Sequence, residues 1–189
     1  MLDEPTASLD SKSELRVRET LARLGEDATV IIVAHRMSTL EECDRIVVVE
    51  DKDGDGADDS SHVFVQEKSF ISPLGIAVVD NKVHVSQPPN LIVYTDVDRN
   101  ARFDEKVDKR EILLTGFNGA NHDHSLHSVT VGPNGQYYFN HGNKGSQVTD
   151  KEGWQLNAGS FYSMQNISGR PSSDGQVYNG GVALRVNQD

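Results

Sequence analysis

Nine residues, Asp51-Lys52-Asp53-Gly54-Asp55-Gly56-Ala57-Asp58-Asp59, divide the chain into two stretches with different hydrophobic periods. Counted from Asp51, carboxylates stand at positions 1, 3, 5 and 9, with a glycine at 6. A hard cation such as Ca²⁺ takes about six to eight oxygens, and this spacing turns several carboxylates towards one point. Gly56 permits the sharp turn that such a convergence needs. Position 12 is His62, where a complete EF-hand loop would carry a bidentate glutamate. Two readings follow: a calcium loop held by Asp51, Asp53, Asp55 and Asp59, or a solvated acidic turn between strands.

Before the loop the pattern is that of an α/β protein. Ser11 with Glu14 forms a capping box, Val17, Leu21 and Leu24 make an apolar stripe, and Gly25 stands where a helix C′ glycine belongs. A helix over 11–25 is expected. Residues 28–33 are a run of β-branched residues after Ala28, suited to a strand buried on both faces of a parallel sheet. A short helix over 38–43 then leads to a second buried strand at 45–49. This β-α-β-α-β order places Asp3, Glu4 and His35 at the carboxyl ends of strands, where sites in such sheets lie.

The stretches Leu2-Asp3-Glu4-Pro5-Thr6-Ala7-Ser8-Leu9-Asp10, Ala34-His35-Arg36-Met37-Ser38-Thr39 and Asp44-Arg45-Ile46-Val47-Val48-Val49 closely resemble the C-terminal part of an ABC-transporter ATPase domain of exporter type. The resemblance implies that Asp3 holds Mg²⁺, that Glu4 polarises the attacking water, and that His35 contacts the γ-phosphate of ATP. Asp10 would reach across a nucleotide-sandwich dimer. Phosphoryl transfer needs such parts, but also a cradle for the phosphates. No G-x-x-x-x-G-K-[ST] loop and no Leu-Ser-Gly-Gly-Gln segment occurs in the chain. ATP hydrolysis would therefore need a second ABC ATPase chain as partner. Without one, the motifs are inherited sequence and Glu4→Gln should change nothing.

After residue 51 short β-rich runs recur at 62–66, 75–79, 82–86, 91–94, 111–115, 128–131 and 136–140, with weaker ones at 160–165 and 182–186. Asp80-Asn81, Pro88-Pro89-Asn90 and Gly132-Pro133-Asn134-Gly135 punctuate them. The acidic pattern returns as Asp96-x-Asp98-x-Asn100-x-x-x-Asp104, again just after a strand, as successive blades of a propeller would place it. This copy has Ala101 in place of the glycine and carries Arg99 and Arg102, so it is expected to be the weaker cation site.

Pro73-Leu74-Gly75-Ile76-Ala77, Asn90-Leu91-Ile92-Val93-Tyr94-Thr95-Asp96, Leu114-Thr115-Gly116-Phe117 and His122-Asp123-His124-Ser125-Leu126-His127-Ser128 resemble the membrane-bound dehydrogenase-type β-propellers of planctomycetes and verrucomicrobia, distant relatives of the glucose/sorbosone dehydrogenases. In the sugar-dehydrogenase relatives a histidine serves as general base beside pyrroloquinoline quinone, with calcium nearby. The resemblance makes His124 and His127, together with His122, candidates for that role. They could instead bind a transition metal with Asp123 and His141, or simply close a blade by hydrogen bonds. The arginines and further loops that a quinone would need have no counterpart that the sequence identifies.

The expected fold is mixed: a truncated α/β segment over 1–50, then an all-β partial propeller of two to three blades over 51–189. A net charge of −11 excludes nucleic-acid and anionic-membrane partners, which need a basic face. The single cysteine, Cys43, forms no internal disulfide. No signal peptide or apolar run of membrane-spanning length occurs, so the chain as written is expected in the cytoplasm, although the propeller relatives are exported. The seam at 50/51 joins the two patterns without a linker. The favoured reading is a non-catalytic, calcium-binding propeller fragment carrying a vestigial ATPase segment. The alternatives are an ABC exporter piece that needs a partner chain, and a quinone-dependent sugar oxidoreductase. The missing propeller blades are the other expected partner.

Overall fold

The computed structural model describes residues 44–187 except 72, 119–123, 144 and 160–168. From the preceding segment it describes Leu2, Asp3, Arg16, Thr20, Arg23, Ile32 and Val33. In that segment β1 (Leu2–Asp3) pairs in parallel with β2 (Ile32–Val33). Arg16, Thr20 and Arg23 are helical and exposed, and the Thr20 hydroxyl donates to the Arg16 carbonyl at 2.8 Å. The stripe of Val17, Leu21 and Leu24, the expected helix over 38–43 and the expected strand over 160–165 lie outside the described residues.

The expected β-α-β-α-β segment is not what the described residues form. Its last strand, β3 (Arg45–Glu50), does not join the parallel pair but turns back through the acidic loop. It pairs antiparallel with β4 (Ser60–Gln66), Glu50 facing Ser60 and Arg45 facing Gln66. Nor is β3 buried on both faces: Ile46 is 8% exposed, whereas Val47 and Val49 are 46% and 52% exposed. A strand separated by only the nine residues 51–59 closes a hairpin at little entropic cost, and the alternation of β3 suits a half-buried ribbon.

The remaining strands make two larger sheets. β5 (Gly75–Val79), β6 (Lys82–Gln87), β7 (Asn90–Thr95) and β8 (Lys109–Thr115) run as an antiparallel meander. β9 (Leu126–Val131) and β10 (Tyr137–His141) then leave it and pair with β14 (Val182–Val186) in the order β14-β10-β9. β11 (Ser146–Asp150), β12 (Gln155–Gly159) and β13 (Tyr178–Asn179) return to extend the meander beyond β8 to seven strands. This sheet curls like half a barrel, and separate propeller blades do not appear among the described residues. The described chain is predominantly β-strand, as expected for its second part.

Alternation along β6 and β7 sends successive side chains to opposite faces of the large sheet. Val83, Val85, Ile92 and Tyr94 meet Ile46 of β3 and Phe64 and Val65 of β4, with Phe70 completing the cluster. Tyr94 is fully buried there, with the rings of Phe64, Phe70 and Phe103 at 6.3, 6.3 and 5.1 Å. On the other face Leu91, Val93, Leu114, Val148 and Leu156 pack against Leu126, Val129, Tyr137 and Phe139 of the three-stranded sheet. The hairpin, the large sheet and the small sheet therefore form three layers around two apolar cores, and β3 from before the acidic loop belongs to one of them.

Candidate cation-binding loops

Both acidic loops join the strands of an antiparallel hairpin, β3 to β4 and β7 to β8. In the first, the two carboxylate oxygens of Asp51 accept from the Gly54 and Gly56 amides at 2.7 and 3.0 Å. Asp59 Oδ2 accepts from the Lys52 and Asp53 amides, and Asp55 Oδ1 from the Ala57 amide. In the second, Asp96 accepts from the Asn100 and Ala101 amides at 3.2 and 2.8 Å. Asp108 accepts from the amides of Val97 and Asp104, and Asn100 Oδ1 from the Arg102 amide. The first carboxylate of each loop thus holds the amide five residues on, and a late carboxylate holds the amide just after the first.

Backbone conformation repeats in step with these bonds. Positive φ falls at Gly54 and Gly56 in the first loop, +76° and +88°, and at Arg99 and Ala101 in the second, +59° and +57°. Those residues occupy the same two places, three and five after the first aspartate. Glycine takes this conformation freely, whereas an L side chain costs roughly 1–2 kcal/mol. The second loop keeps the turn without glycine, so its surroundings hold it. Phe103 donates its amide to the Phe64 carbonyl at 2.8 Å, and His62 Nε2 meets the Ala101 carbonyl at 2.8 Å. Both contacts tie the loop to β4.

The carboxylates converge in each loop. Ligand oxygens of Asp51, Asp53 and Asp59 lie within 4.8 Å of one another, as do those of Asp96, Asp98 and Asp108. All three residues of the first triad are exposed; in the second only Asp98 is, while Asp96 and Asp108 are 7% and 8% exposed. Asp55, Asn100 and Asp104 remain outside the triads. Asp104 instead accepts from the Lys106 amide, and the Asn100 amide group donates to Asp98 Oδ2. Asp108, which the spacing argument did not reach, is the third member of the second triad. It could have been found by counting one further interval of four past Asp104.

The arginines of the second loop do not sit on its carboxylates. Arg99 forms a two-pronged pair with Asp80 at 2.8 and 2.7 Å, and the guanidinium holds the Asp80 carboxyl below its usual range. Arg102 is exposed.

Of the other candidate residues, Asp3 lies in β1, while Glu4, Asp10, His35, His122 and Asp123 lie outside the described residues. His124 is exposed in a short turn and His127 is half-buried in β9. His141 is 2% exposed in β10, with Nε2 2.5 Å from Ser146 Oγ, which also accepts the Asn118 amide. Burial, helped by nearby His127, lowers the His141 pKa to about 4. Burial also lowers His84, whose ring lies 4.1 Å from that of Tyr137 at a 48° tilt, to about 4. Among the described residues these histidines form no group of three ligands with one another or with an acid.

Three layers of strand with acidic loops at two hairpins define a β module, and residues 26–179 match the family model described as "Domain of unknown function (DUF7133)". That match covers most of the chain, which belongs to this family. Shorter stretches are similar to ABC-transporter ATP-binding proteins. An uncharacterized ABC transporter ATP-binding protein, YfiC of Bacillus subtilis, is 40% identical over 75 residues, 39% of this chain and 12% of that protein. The ATP-dependent lipid A-core flippase of Neisseria meningitidis serogroup A is 53% identical over 51 residues, 27% of this chain and 8% of that protein. The ABC-type transporter fsqE of Aspergillus fumigatus is 34% identical over 119 residues, 59% of this chain and 9% of that protein. The chain spans about a tenth of the length of these relatives. No solved structure matches.

Proposed function

We propose that this chain is a non-catalytic β module that binds calcium at its hairpin loops, first at Asp96, Asp98 and Asp108, the reverse of the order expected from the missing glycine, and more weakly at Asp51, Asp53 and Asp59. The observation that carries the reading is the convergence of three carboxylates in the second loop, two of them buried and held by backbone amides. Fixed oxygens lose little freedom on coordinating an ion, and partial burial strengthens each attraction. In the first loop the ligands are exposed and compete with water. The unit that holds both loops includes β3, because β3 and β4 share a core with the large sheet.

A second reading applies to the segment before that unit, and the similarity to ABC-transporter ATP-binding proteins favours it there. Under it, the chain is a piece of an exporter ATPase that works beside a partner chain supplying the phosphate loop. Asp3 would hold Mg²⁺, Glu4 would polarise water, and Asp10 and His35 would meet ATP at the dimer face. The quinone-dependent sugar oxidoreductase reading, with His124 and His127 beside pyrroloquinoline quinone, rests on resemblance alone.

Thermal unfolding with millimolar CaCl₂, and separately with Mg·ATP, distinguishes the first two readings. A ligand at 100 times its Kd adds about 2.7 kcal/mol to the folded state. A rise in Tm with calcium that D96N/D98N abolishes supports the module reading. No rise with calcium, together with a rise with Mg·ATP that E4Q alters, overturns it.

A further inference from the structure

At one end of the molecule the two sheets splay apart around a cavity of about 340 Å³. Its walls are apolar: Leu114, Val148 and Leu156 from the large sheet face Phe139, Leu184 and Val186 from the small one. At the mouth stand Asp150 and Trp154, which end β11 and precede β12 with the same inward parity as Val148 and Leu156. Trp154 is 42% exposed, in a cleft whose other lining residues are mostly apolar. Pockets that take small ligands run from about 300 to 1,000 Å³, so this one suits a single ring or a short chain with one polar head.

The head is identified by the charge at the mouth. Asp150 Oδ1 accepts the amides of Glu152 and Trp154 at 2.9 and 2.8 Å, which fixes the carboxylate in place. Among the described residues Oδ2 takes no hydrogen bond or ion pair. Of the cations nearby, Lys151 pairs with Glu111 at 3.8 Å. Arg185 is among the residues that line the cleft, on an exposed position of β14, and among the described residues it forms no ion pair with Asp150. The remaining polar groups at the rim are the amides of Gln136 and Asn187, which bond to each other at 2.9 Å. An anchored carboxylate beside an indole attracts an ammonium group, by charge and through the face of the ring. The chain's net charge of −11 favours the same sign of ligand.

We propose that this cleft binds a small organic ammonium ion, its apolar body between the sheets and its cationic head between Asp150 and Trp154. The site is separate from the acidic loops and does not depend on calcium.

Trp154 is the only tryptophan in the chain, so its fluorescence reports on the mouth directly. The full chain in EDTA is titrated with 2-phenylethylammonium chloride and with the neutral isostere 2-phenylethanol. A saturable change with the ammonium ion, at least about tenfold tighter than with the alcohol, is expected for a charge-assisted contact. In D150N the carbonyl oxygen keeps both turn bonds, and affinity for the ammonium ion should fall about tenfold with that for the alcohol unchanged. Equal affinity for both compounds, or no saturable change with either, overturns the proposal; both results come from the unaltered chain and do not depend on how the variant folds.

Discussion

The loops at 51–59 and 96–108 carry the same acidic spacing and the same backbone turn, yet one is a surface feature and the other part of a core. The first relies on Gly54 and Gly56 for its two positive φ values, and all its carboxylates face water. The second keeps those values at Arg99 and Ala101, buries Asp96 and Asp108, and sends Phe103 among Phe64 and Tyr94. A turn that its own residues permit stands alone, whereas a turn that its residues resist must be held by packing. The difference teaches that the more glycine-like loop is the more independent one, not the better organised.

The largest expected effect tests that statement directly. Asp108→Ala leaves the buried side of the loop with the Val97 and Asp104 amides unpaired, and should cost about 2–4 kcal/mol in urea unfolding. Asp59→Ala, which strands exposed amides that water can reach, should cost under about 1 kcal/mol. Equal losses would break the distinction between the loops.

Acid should act on the core rather than on either loop. His84 and His141 are neutral when folded because burial lowers each pKa to about 4, against about 6.5 in the unfolded chain. The unfolded state therefore binds more protons between those values, and stability falls as pH drops from 6.5 through 4. The loss is on the order of 3 kcal/mol for each histidine at most. His141→Gln should flatten this acid limb, read by urea unfolding at pH 4.5 and 7. An unchanged limb in both His141→Gln and His84→Gln would assign it to carboxylates instead. Comparisons of the loops are therefore cleanest above pH 6.5.

The smallest effects have opposite signs. Gly56→Ala should destabilise by about 1 kcal/mol, and Ala101→Gly should stabilise by about 0.5 kcal/mol, since relief of the positive φ exceeds the added chain entropy. The same sign in both would mean that the two backbones are not equivalent. With calcium present, D96N/D98N should remove more of the rise in Tm than D51N/D53N; the reverse order would make the exposed loop the main site.

Much of the β architecture was legible. The runs at 75–79, 82–86, 91–94 and 182–186 alternate or stand between Asn, Gly and Pro turns, and each became a strand within a residue or so. β11 and β12 were not legible, because Ser146-Gln147-Val148-Thr149-Asp150 and Gln155-Leu156-Asn157-Ala158-Gly159 are mostly polar or small. Several of their polar groups find partners only in the fold: the Ser146 hydroxyl meets His141, and the Asn157 side-chain amide nitrogen donates to the Pro171 carbonyl. β3 was seen as a strand but given the wrong sheet, since an apolar run does not say whether its neighbour is parallel or antiparallel. Of the candidate ligands, Asp51, Asp53 and Asp59 converge in one loop, and Asp96 and Asp98 converge in the other with Asp108, which was missed; Asn100 donates to Asp98, and Asp55 and Asp104 lie outside the triads.

By itself the sequence determined the acidic spacing, the turns that frame the strands and the similarity of short stretches to ABC-transporter ATP-binding proteins. These are local properties, written in neighbouring residues. Tertiary structure alone decided which loop is buried, that β3 belongs with the β layers, and that the turn of Asp150 and Trp154 borders a cleft lined by Phe139, Leu184 and Val186. Those outcomes depend on which faces exclude water together, and such faces are assembled from strands far apart in the chain.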